Sequence, residues 1–419
     1  MRAMLPGLLT LAMLFIGTFS SVQAETWPQW RGLNRDGKCT QDWPSTLSED
    51  RLRLSYRVKL GPSYSGPIVA EDRVFVTESR DEKDEVVKAL ARDNGRVLWE
   101  SNWQGAMKVP FFARANGSWI RSTPALDGDS LYVAGMKDVL VCLDTNDGAQ
   151  KWKVDFTEAC GTPAPSFGFV CSPLVLGDHI IVQAGASVAK LNKVDGSIVW
   201  RALNDGGGMM SSAFSSPVYV TLAGKEQLLV QTRTELAGID LESGDVLWTQ
   251  DVPAFRGMNI LTPTVHGDGV FTSTYGGKSF LFSIAPSDDG DGDAFEVSER
   301  WANKVQGYMS SPVIIDGHAY LHLRNQRFAC IDLETGKEKW ISKPFGKYWS
   351  LVANGNQILA LDEIGEFLLI DATPDEFRLA DRRKVSDDST WAHLAVVDGQ
   401  VFVRELGGLA VYELSLIHI

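Results

Sequence analysis

The sequence predicts an all-β chain folded as an eight-bladed propeller, and three observations carry that prediction. First, one signature recurs: Ser/Thr-x-Pro, an apolar strand, an Asp-Gly or Gly-Asp turn, a second strand, then Leu-Asp-x-x-x-Gly-x-x-x-Trp. Second, its period lies mostly in the forties, with intervals from 57 residues (Pro67 to Pro124) down to 39 (Pro312 to Leu351). Four short strands fit each unit, as a propeller blade requires. Third, a lone strand, Leu52 to Leu60, precedes the first unit, while the last unit, from Trp391, holds only three.

The opening proline stands at Pro67, Pro124, Pro173, Pro217, Pro263 and Pro312, and the closing tryptophan at Trp99, Trp152, Trp200, Trp248, Trp301 and Trp340. Five of these tryptophans follow a glycine by four residues: Gly95, Gly148, Gly196, Gly244 and Gly336. The fifth unit has lost that turn and carries an acidic insert. In two weaker units Leu351 and Leu394 replace the proline. Proline lacks an N–H and is tolerated on a strand edge facing the hub. Glycine supplies the positive φ of tight turns. A tryptophan on the outermost strand can wedge between blades, which bury their faces only by stacking in a ring. The lone strand Leu52 to Leu60 is expected to complete the eighth blade, with Tyr56 near the place of Trp. Closure of that kind leaves no exposed outer edge.

The ends divide the chain further. Residues 1–24 carry one charge, Arg2, an apolar run from Met4 to Ile16 and small residues at Val22 and Ala24, which is the pattern of a secretory signal peptide. Residues 25–51 form a leader segment, 52–414 the propeller. Residues 414–419, Leu-Ser-Leu-Ile-His-Ile, read as adapter-derived read-through, so nothing is built on His418. No cysteine stands near the cleavage site, so no lipid anchor is expected, and no later stretch is apolar enough to span a membrane. The expectation is a soluble monomer, periplasmic or extracellular. A net charge of −13 argues against a nucleic-acid partner and against anionic lipid.

Side chains that could carry function gather just before the innermost strands. Three or four residues ahead of each Pro, or of its Leu replacement, stand Tyr64, Arg121, Phe169, Phe214, Asn259, Tyr308, Tyr348 and Trp391, six of them aromatic. Trp119, Trp349, Arg114 and Phe255 lie in the same loops. In a propeller these loops surround the channel, and an aromatic, Arg-bearing funnel suits a flat ligand, a sugar or a peptide side chain. The same rings could instead fill the hub.

Other constellations offer less. Asp288–Asp293 alternates oxygens as a calcium loop does, but Ala294 and Arg300 stand where such a loop needs Gly and Glu, so a solvated hairpin is expected. His318 and His322 would lie about 13 Å apart along a strand, too far to share zinc. Gly206–Gly208 is followed by no helix and reads as a loop. His393 could face the hub. Cys160 and Cys171 bracket the loop into the third blade and are the candidate disulfide of an oxidising compartment. Cys142 and Cys330 fall at equivalent third-strand positions of the second and sixth blades and are expected in the core.

The repeat resembles the pyrroloquinoline-quinone (PQQ)-like β-propeller repeat, over Leu52 to Leu414. The segment from Trp27 to Gly37, Trp-Pro-Gln-Trp-Arg-Gly-Leu-Asn-Arg-Asp-Gly, matches the leader of a group of exported bacterial proteins with that repeat. The resemblance implies the fold; dehydrogenases and non-catalytic scaffolds share it. Quinoprotein dehydrogenases hold PQQ over calcium and often carry a disulfide between adjacent cysteines. This chain has no Cys-Cys pair and no Cys-x-x-Cys-His site. The reading preferred is a non-catalytic binding or scaffold module, with no catalytic residue and no cofactor or metal expected. It would take a protein or a glycan at the channel face, similar in architecture to the propeller subunit of the outer-membrane barrel-assembly machinery. That subunit is usually a lipoprotein. The rival is a PQQ- and calcium-dependent alcohol or sugar dehydrogenase, in which Arg121 or Arg404 would face the quinone carboxylates.

Overall fold

A computed structural model describes residues 26–205, 207, 213–287 and 294–416. The segment 1–24, the acidic stretch 288–293, His418 and most of Gly206–Gly208 lie outside the described residues. Among the described residues thirty-two strands form eight four-stranded antiparallel sheets. In seven of them the strands follow one another in the chain, from hub to rim. The first blade runs Ile68–Val69, Arg73–Arg80, Asp84–Ala91 and Val97–Gln104, and the next six repeat that path. In the eighth, Ala395–Val397, Gln400–Glu405 and Gly408–Leu414 are completed by Leu52–Lys59. Its register runs from Leu52 opposite Leu414 to Lys59 opposite Gly408, and Ser415 N–H donates to Arg51 O at 2.8 Å. The ring is therefore closed by strands from both ends of the chain, as the lone N-terminal strand predicts.

Each closing tryptophan works between blades. Trp99 of the first blade donates its indole N–H to Thr145 O in the second, at 2.9 Å. Trp152, Trp200, Trp301 and Trp340 make the same bond, to Lys193, Leu241, Leu333 and Thr373 of the following blade. The ring lies flat on the next blade's turn glycine: a methyl group on Gly148 would stand 2.5 Å from the Trp99 ring, and one on Gly196 2.7 Å from Trp152. The Gly-x-x-x-Trp spacing thus joins two contacts with different neighbours. Trp248 faces the fifth blade, which lacks that glycine, and it donates instead to Gln227 Oε1 within its own blade, at 2.7 Å. In the six blades that end in tryptophan, a bulge in the outer strand pair follows the residue opposite it, as at Cys142–Trp152 and Cys330–Trp340. Both of those cysteines are buried under the ring.

The hub is held by hydroxyls rather than by the prolines. The hydroxyl residue just before five of the six prolines, all but Pro67, accepts a hydrogen bond from the equivalent backbone N–H of the preceding blade. The series runs Gly66 to Thr123 Oγ1 (2.9 Å), Thr123 to Ser172 Oγ (3.2 Å), Ser172 to Ser216 Oγ (2.9 Å), Ser216 to Thr262 Oγ1 (3.1 Å) and Thr262 to Ser311 Oγ (3.1 Å). In the seventh and eighth blades, where leucine replaces proline, the direction reverses and Leu394 N–H donates to Ser350 Oγ at 2.9 Å.

The leader 26–51 crosses one end of the channel. Trp27 exchanges backbone bonds with Val69 (2.8 and 3.1 Å), and Leu126 N–H donates to Pro28 O (2.7 Å). Arg35 donates to Pro173 O (2.7 Å) and Ser172 O (3.0 Å), Arg31 donates to Pro312 O, and Ala353 N–H donates to Gly37 O (2.8 Å). Gly399 N–H of the eighth blade donates to Gln41 Oε1 (2.8 Å), so six blades are tied by this one segment, and Trp30 meets His393 of the eighth edge-on at 6.1 Å. The two arginines are buried among carbonyls, and burial lowers each guanidinium to about 10. Among the described residues no helix is long and apolar enough to cross a membrane.

Candidate functional site

Because consecutive strands alternate in direction, the loops entering the innermost strands share one face with the loops joining second to third strands. Together they enclose a cavity of about 860 Å³ that opens at the face opposite the leader. Trp30 forms part of its lining from the plugged side, so the channel is a dead-ended well. That volume lies in the range of small-molecule pockets.

Two arcs of touching rings circle its mouth. Trp119 meets Tyr64 edge-on (5.3 Å), Tyr64 stacks on Trp391 (4.6 Å, planes 14° apart), and Trp391 meets Tyr348 (4.2 Å). From Tyr348 the arc continues through Tyr308 (5.8 Å) and Tyr275 (5.0 Å) to Phe255 (5.8 Å). The second arc runs Phe111, Phe112, Phe167, Phe214, with centroids 5.6 to 6.2 Å apart. Offset and edge-to-face pairs like these each add about 1 kcal/mol beyond area burial. Burial raises the Tyr64, Tyr308 and Tyr348 phenols, so they stay neutral hydroxyls at any physiological pH. Tyr348 and Arg256 both hold a left-handed backbone, φ 55°, a conformation that costs about 1–3 kcal/mol for a bulky residue and tends to gather at functional sites.

Arginine supplies the charge. Arg121, Arg233 and Arg256 line the cavity, and among the described residues no carboxylate does. Arg121 lies deep in the wall, over the Tyr64 ring at 5.9 Å, with only long bonds to Trp119 O and Gly117 O (both 3.3 Å). Burial lowers its guanidinium to about 10. His393 also lines the well, and burial, with Arg31 beside it, drops its imidazole to about 3, so it is neutral.

Of the residues singled out from sequence, Tyr64, Arg121, Phe214, Phe255, Tyr308, Tyr348, Trp349 and Trp391 stand in the wall. Four do not, and Arg114, on the short helix Phe111–Asn116, is one of them. Phe169 is buried between the second and third blades against Phe156 (6.1 Å), and Phe167, two residues earlier, takes the place expected of it. Asn259 is a tie, donating from Nδ2 to Val252 O (2.9 Å) and Arg233 O (3.1 Å). Trp119 backs Tyr64 from outside the lining. Trp349 touches the well but is mostly core, 3% exposed and stacked on His322 at 4.9 Å. Arg404 is not in the well either: it is buried between the eighth and first blades and donates to the carbonyls of Glu405, Gly408, Gly61 and Thr77. The disulfide expectation is corrected as well. Cys160 and Cys171 are both free thiols. Cys171 Sγ accepts from Gln183 N–H (3.3 Å) in the hub, whereas Cys160 ends a short helix, Phe156–Cys160, against Gly185.

Sequence reasoning missed Trp30, Phe112, Phe167, Tyr275 and Arg233. Tyr275 and Arg233 sit in loops joining second to third strands, which topology alone assigns to the same face. Counting those loops as well would have found both.

Comparison with known proteins fits this architecture. A curated relative from Moranella endobia (strain PCIT), an outer membrane protein assembly factor BamB, is 23% identical over 346 residues, covering 78% of this chain and 79% of that protein. The BamB of Yersinia pestis is 22% identical over 264 residues, 61% of each. Among solved structures, BamB from Moraxella catarrhalis superposes with a TM-score of 0.63 at 16% identity, covering 88% of this chain and 99% of that one. The quinohemoprotein alcohol dehydrogenase of Comamonas testosteroni gives 0.65 at 12% identity, covering 93% and 80%. At such identities the superpositions establish the fold and no activity. The family model described as outer membrane protein assembly factor BamB matches residues 83–342, more than half of the chain, and the chain belongs to that family.

Proposed function

We propose that this protein is a non-catalytic scaffold that works after export, in the periplasm at the outer membrane, and holds a protein partner against the open mouth of its channel. The observation that carries the reading is the apolar rim around that mouth. Phe111 is 79% exposed, Phe112 53%, Phe255 54% and Met309 37%. Large apolar side chains gathered at one opening mark an interaction surface. Its relatives are outer membrane protein assembly factors, which is the class of work proposed for this chain.

The rival reading seats a quinone over calcium in the same well. Calcium takes six to eight oxygen ligands, carboxylates among them. The residues present do not fit such an ion: among those described, the lining has no Asp or Glu, and no group of three His, Cys, Asp or Glu side chains could hold a metal.

The test is alanine substitution at Tyr64, Phe214 and Tyr308 together, measured as affinity for partners recovered by cross-linking in cells. Loss of binding with an unchanged melting temperature supports the scaffold. Unchanged binding to every partner removes it. PQQ and calcium added to the purified protein, with dye-linked alcohol oxidation as the readout, test the rival.

A further inference from the structure

We infer that the open face of the propeller is self-complementary and pairs with a second copy of this chain, face to face about a twofold axis. The inference goes beyond the scaffold reading and does not depend on it. A second copy and a partner would cover the same mouth, so each excludes the other.

The observation is a division of charge around the ring. Taken in order, the open-face loops 252–263, 274–278, 304–312, 323–327 and 342–349 carry seven Lys or Arg and no Asp or Glu. The next five, 362–365, 385–394, 406–407, 60–67 and 81–83, carry six Asp or Glu and one Lys. Strand ends beside the arcs add Asp251 to the first and Lys59 and Lys384 to the second, which reverses neither sign. The whole chain stands at −13, so a basic arc of five loops is not its average surface. The arcs meet where Glu363 N–H donates to Lys347 O at 3.0 Å. Arg256, Lys278, Lys304, Arg324, Lys343 and Lys347 are exposed, as are Asp81, Glu82, Asp387 and Asp388. Among the described residues none of these is in an ion pair. Arg256 sits over Phe255 at 5.1 Å and Arg324 over Tyr275 at 4.7 Å, so two of the cations are held at the mouth.

Symmetry turns these arcs into an interface. A twofold axis lying in the face, along the line where the arcs meet, sets each loop of one copy on the mirror-placed loop of the other. Lys343 and Lys347 then face Glu363, Arg324 faces Asp387 and Asp388, and Arg256 faces Asp81 and Glu82, each pairing occurring twice. A twofold contact requires such self-complementarity, whereas a partner of unrelated sequence needs no two opposite arcs of equal extent. The same operation brings the loop of Phe111 and Phe112, 79% and 53% exposed, beside the Phe255 loop of the other copy. The apolar rim is thus covered as the charges are matched. Complementary potentials fix the register and speed encounter, and apolar burial adds affinity.

Sedimentation equilibrium of the exported protein at low salt, from about 1 to 100 μM, should show monomer and dimer in exchange, and raised salt should weaken the dimer at least about tenfold. Arg324→Glu with Lys347→Glu should be monomeric over that range, and so should Glu363→Lys with Asp387→Lys. Mixed one to one, the two variants should form a heterodimer, because each reversed arc again meets its opposite. Both variants remain net negative, so overall attraction cannot imitate that rescue. Should either pair lower the melting temperature, Arg256→Glu and Glu82→Lys, at the far ends of the arcs, take their place. A parent protein monomeric at every concentration overturns the inference, as does a dimer that both reversals leave intact or that mixing does not restore. A monomeric parent whose rim still cross-links a partner in cells sinks this inference alone; a dimer whose rim captures no partner sinks the scaffold alone.

Discussion

Tyr56 donates its hydroxyl to Arg92 O across the seam of the ring, at 2.9 Å, the same length as the bond from Trp99 Nε1 to Thr145 O between the first two blades. It also lies on Gly95, where a methyl group would stand 2.7 Å from its ring, as the tryptophans lie on Gly148 and Gly196. The strand that closes the ring thus docks the first blade as the outer strands of Trp99, Trp152, Trp200, Trp301 and Trp340 dock their neighbours, with a phenol in place of an indole. Tyr56→Phe should cost about 1 kcal/mol, one hydrogen bond. Tyr56→Ala should cost about 2–3 kcal/mol, somewhat less than a fully buried aromatic. Tyr56→Trp should be tolerated. Urea denaturation ranks the three.

The turn glycines divide into two kinds. Gly148 has φ 76° and the Trp99 ring against it, while Gly128, with φ 56°, has nothing within 4 Å of an added methyl group. Gly128→Ala should cost about 1 kcal/mol, the price of a left-handed alanine. Gly148→Ala carries that cost plus displacement of the ring, about 2–4 kcal/mol in all. Equal melting temperatures for the two variants would contradict the inter-blade role of Trp99.

These inter-blade contacts explain how much the sequence disclosed. Pro, Gly and Trp recur because each blade needs them, so the blade count, the strand order and the closing strand were legible from spacing. The hydroxyls at Thr123, Ser172, Ser216, Thr262 and Ser311 were visible too, but only the structure shows that they bond across blades. The loops are different. They have no period, so a rule based on distance from the proline found Tyr64, Arg121 and Tyr308 but chose Phe169 over Phe167. In irregular backbone nothing fixes which of two nearby rings points inward. The leader was recognisable as a motif, yet its role as a plug depends on partners up to the eighth blade, far away in the chain.

Three buried carboxyls make stability depend on pH. Burial raises Glu85 from 4.5 to about 7, and Asp138 and Asp362 from 3.8 to about 6. Glu85 accepts from Met136 N–H (2.7 Å) and Trp103 Nε1–H (2.8 Å), and Asp138 accepts from Gly185 N–H (2.9 Å). With the folded pKa above the unfolded one, the native state holds more protons between the two values. Their contribution is therefore fully present below about 4 and lost as pH rises through 6 to 7. Asp144 and Glu100 have lowered values, from backbone N–H donation at Asn146 and from the Arg80 guanidinium, and act oppositely: their stabilisation is lost as pH falls below about 4. His322 and His393, whose imidazoles burial lowers to about 4 and about 3, also oppose the buried carboxyls: their stabilisation is present above about 6.5 and lost as pH falls. Glu85→Gln isolates the Glu85 share and should gain unfolding free energy relative to the parent protein as pH rises from about 4.5 to 7. A difference between parent and variant that does not change with pH would contradict the raised Glu85 carboxyl.

The plug predicts its own phenotype. Arg35→Ala removes two bonds to Ser172 and Pro173 carbonyls in the hub and should cost about 2–4 kcal/mol, since buried acceptors lose a charged donor. Trp30→Ala should cost less and open the floor of the well, which a rise in accessibility of His393 to histidine-modifying reagent would report. Protection of His393 unchanged in Trp30→Ala would contradict the closed floor.

The central claim is that the channel mouth is the face on which this protein holds its partner. The most direct measurement places a photo-cross-linking amino acid in cells at Phe112 or Phe255 on the rim, and at Val194, which is 76% exposed in a turn on the opposite face. The account predicts one protein cross-linked from both rim positions and not from position 194, identified by mass spectrometry as a component of outer-membrane assembly. Cross-links from position 194 with none from the rim would contradict it.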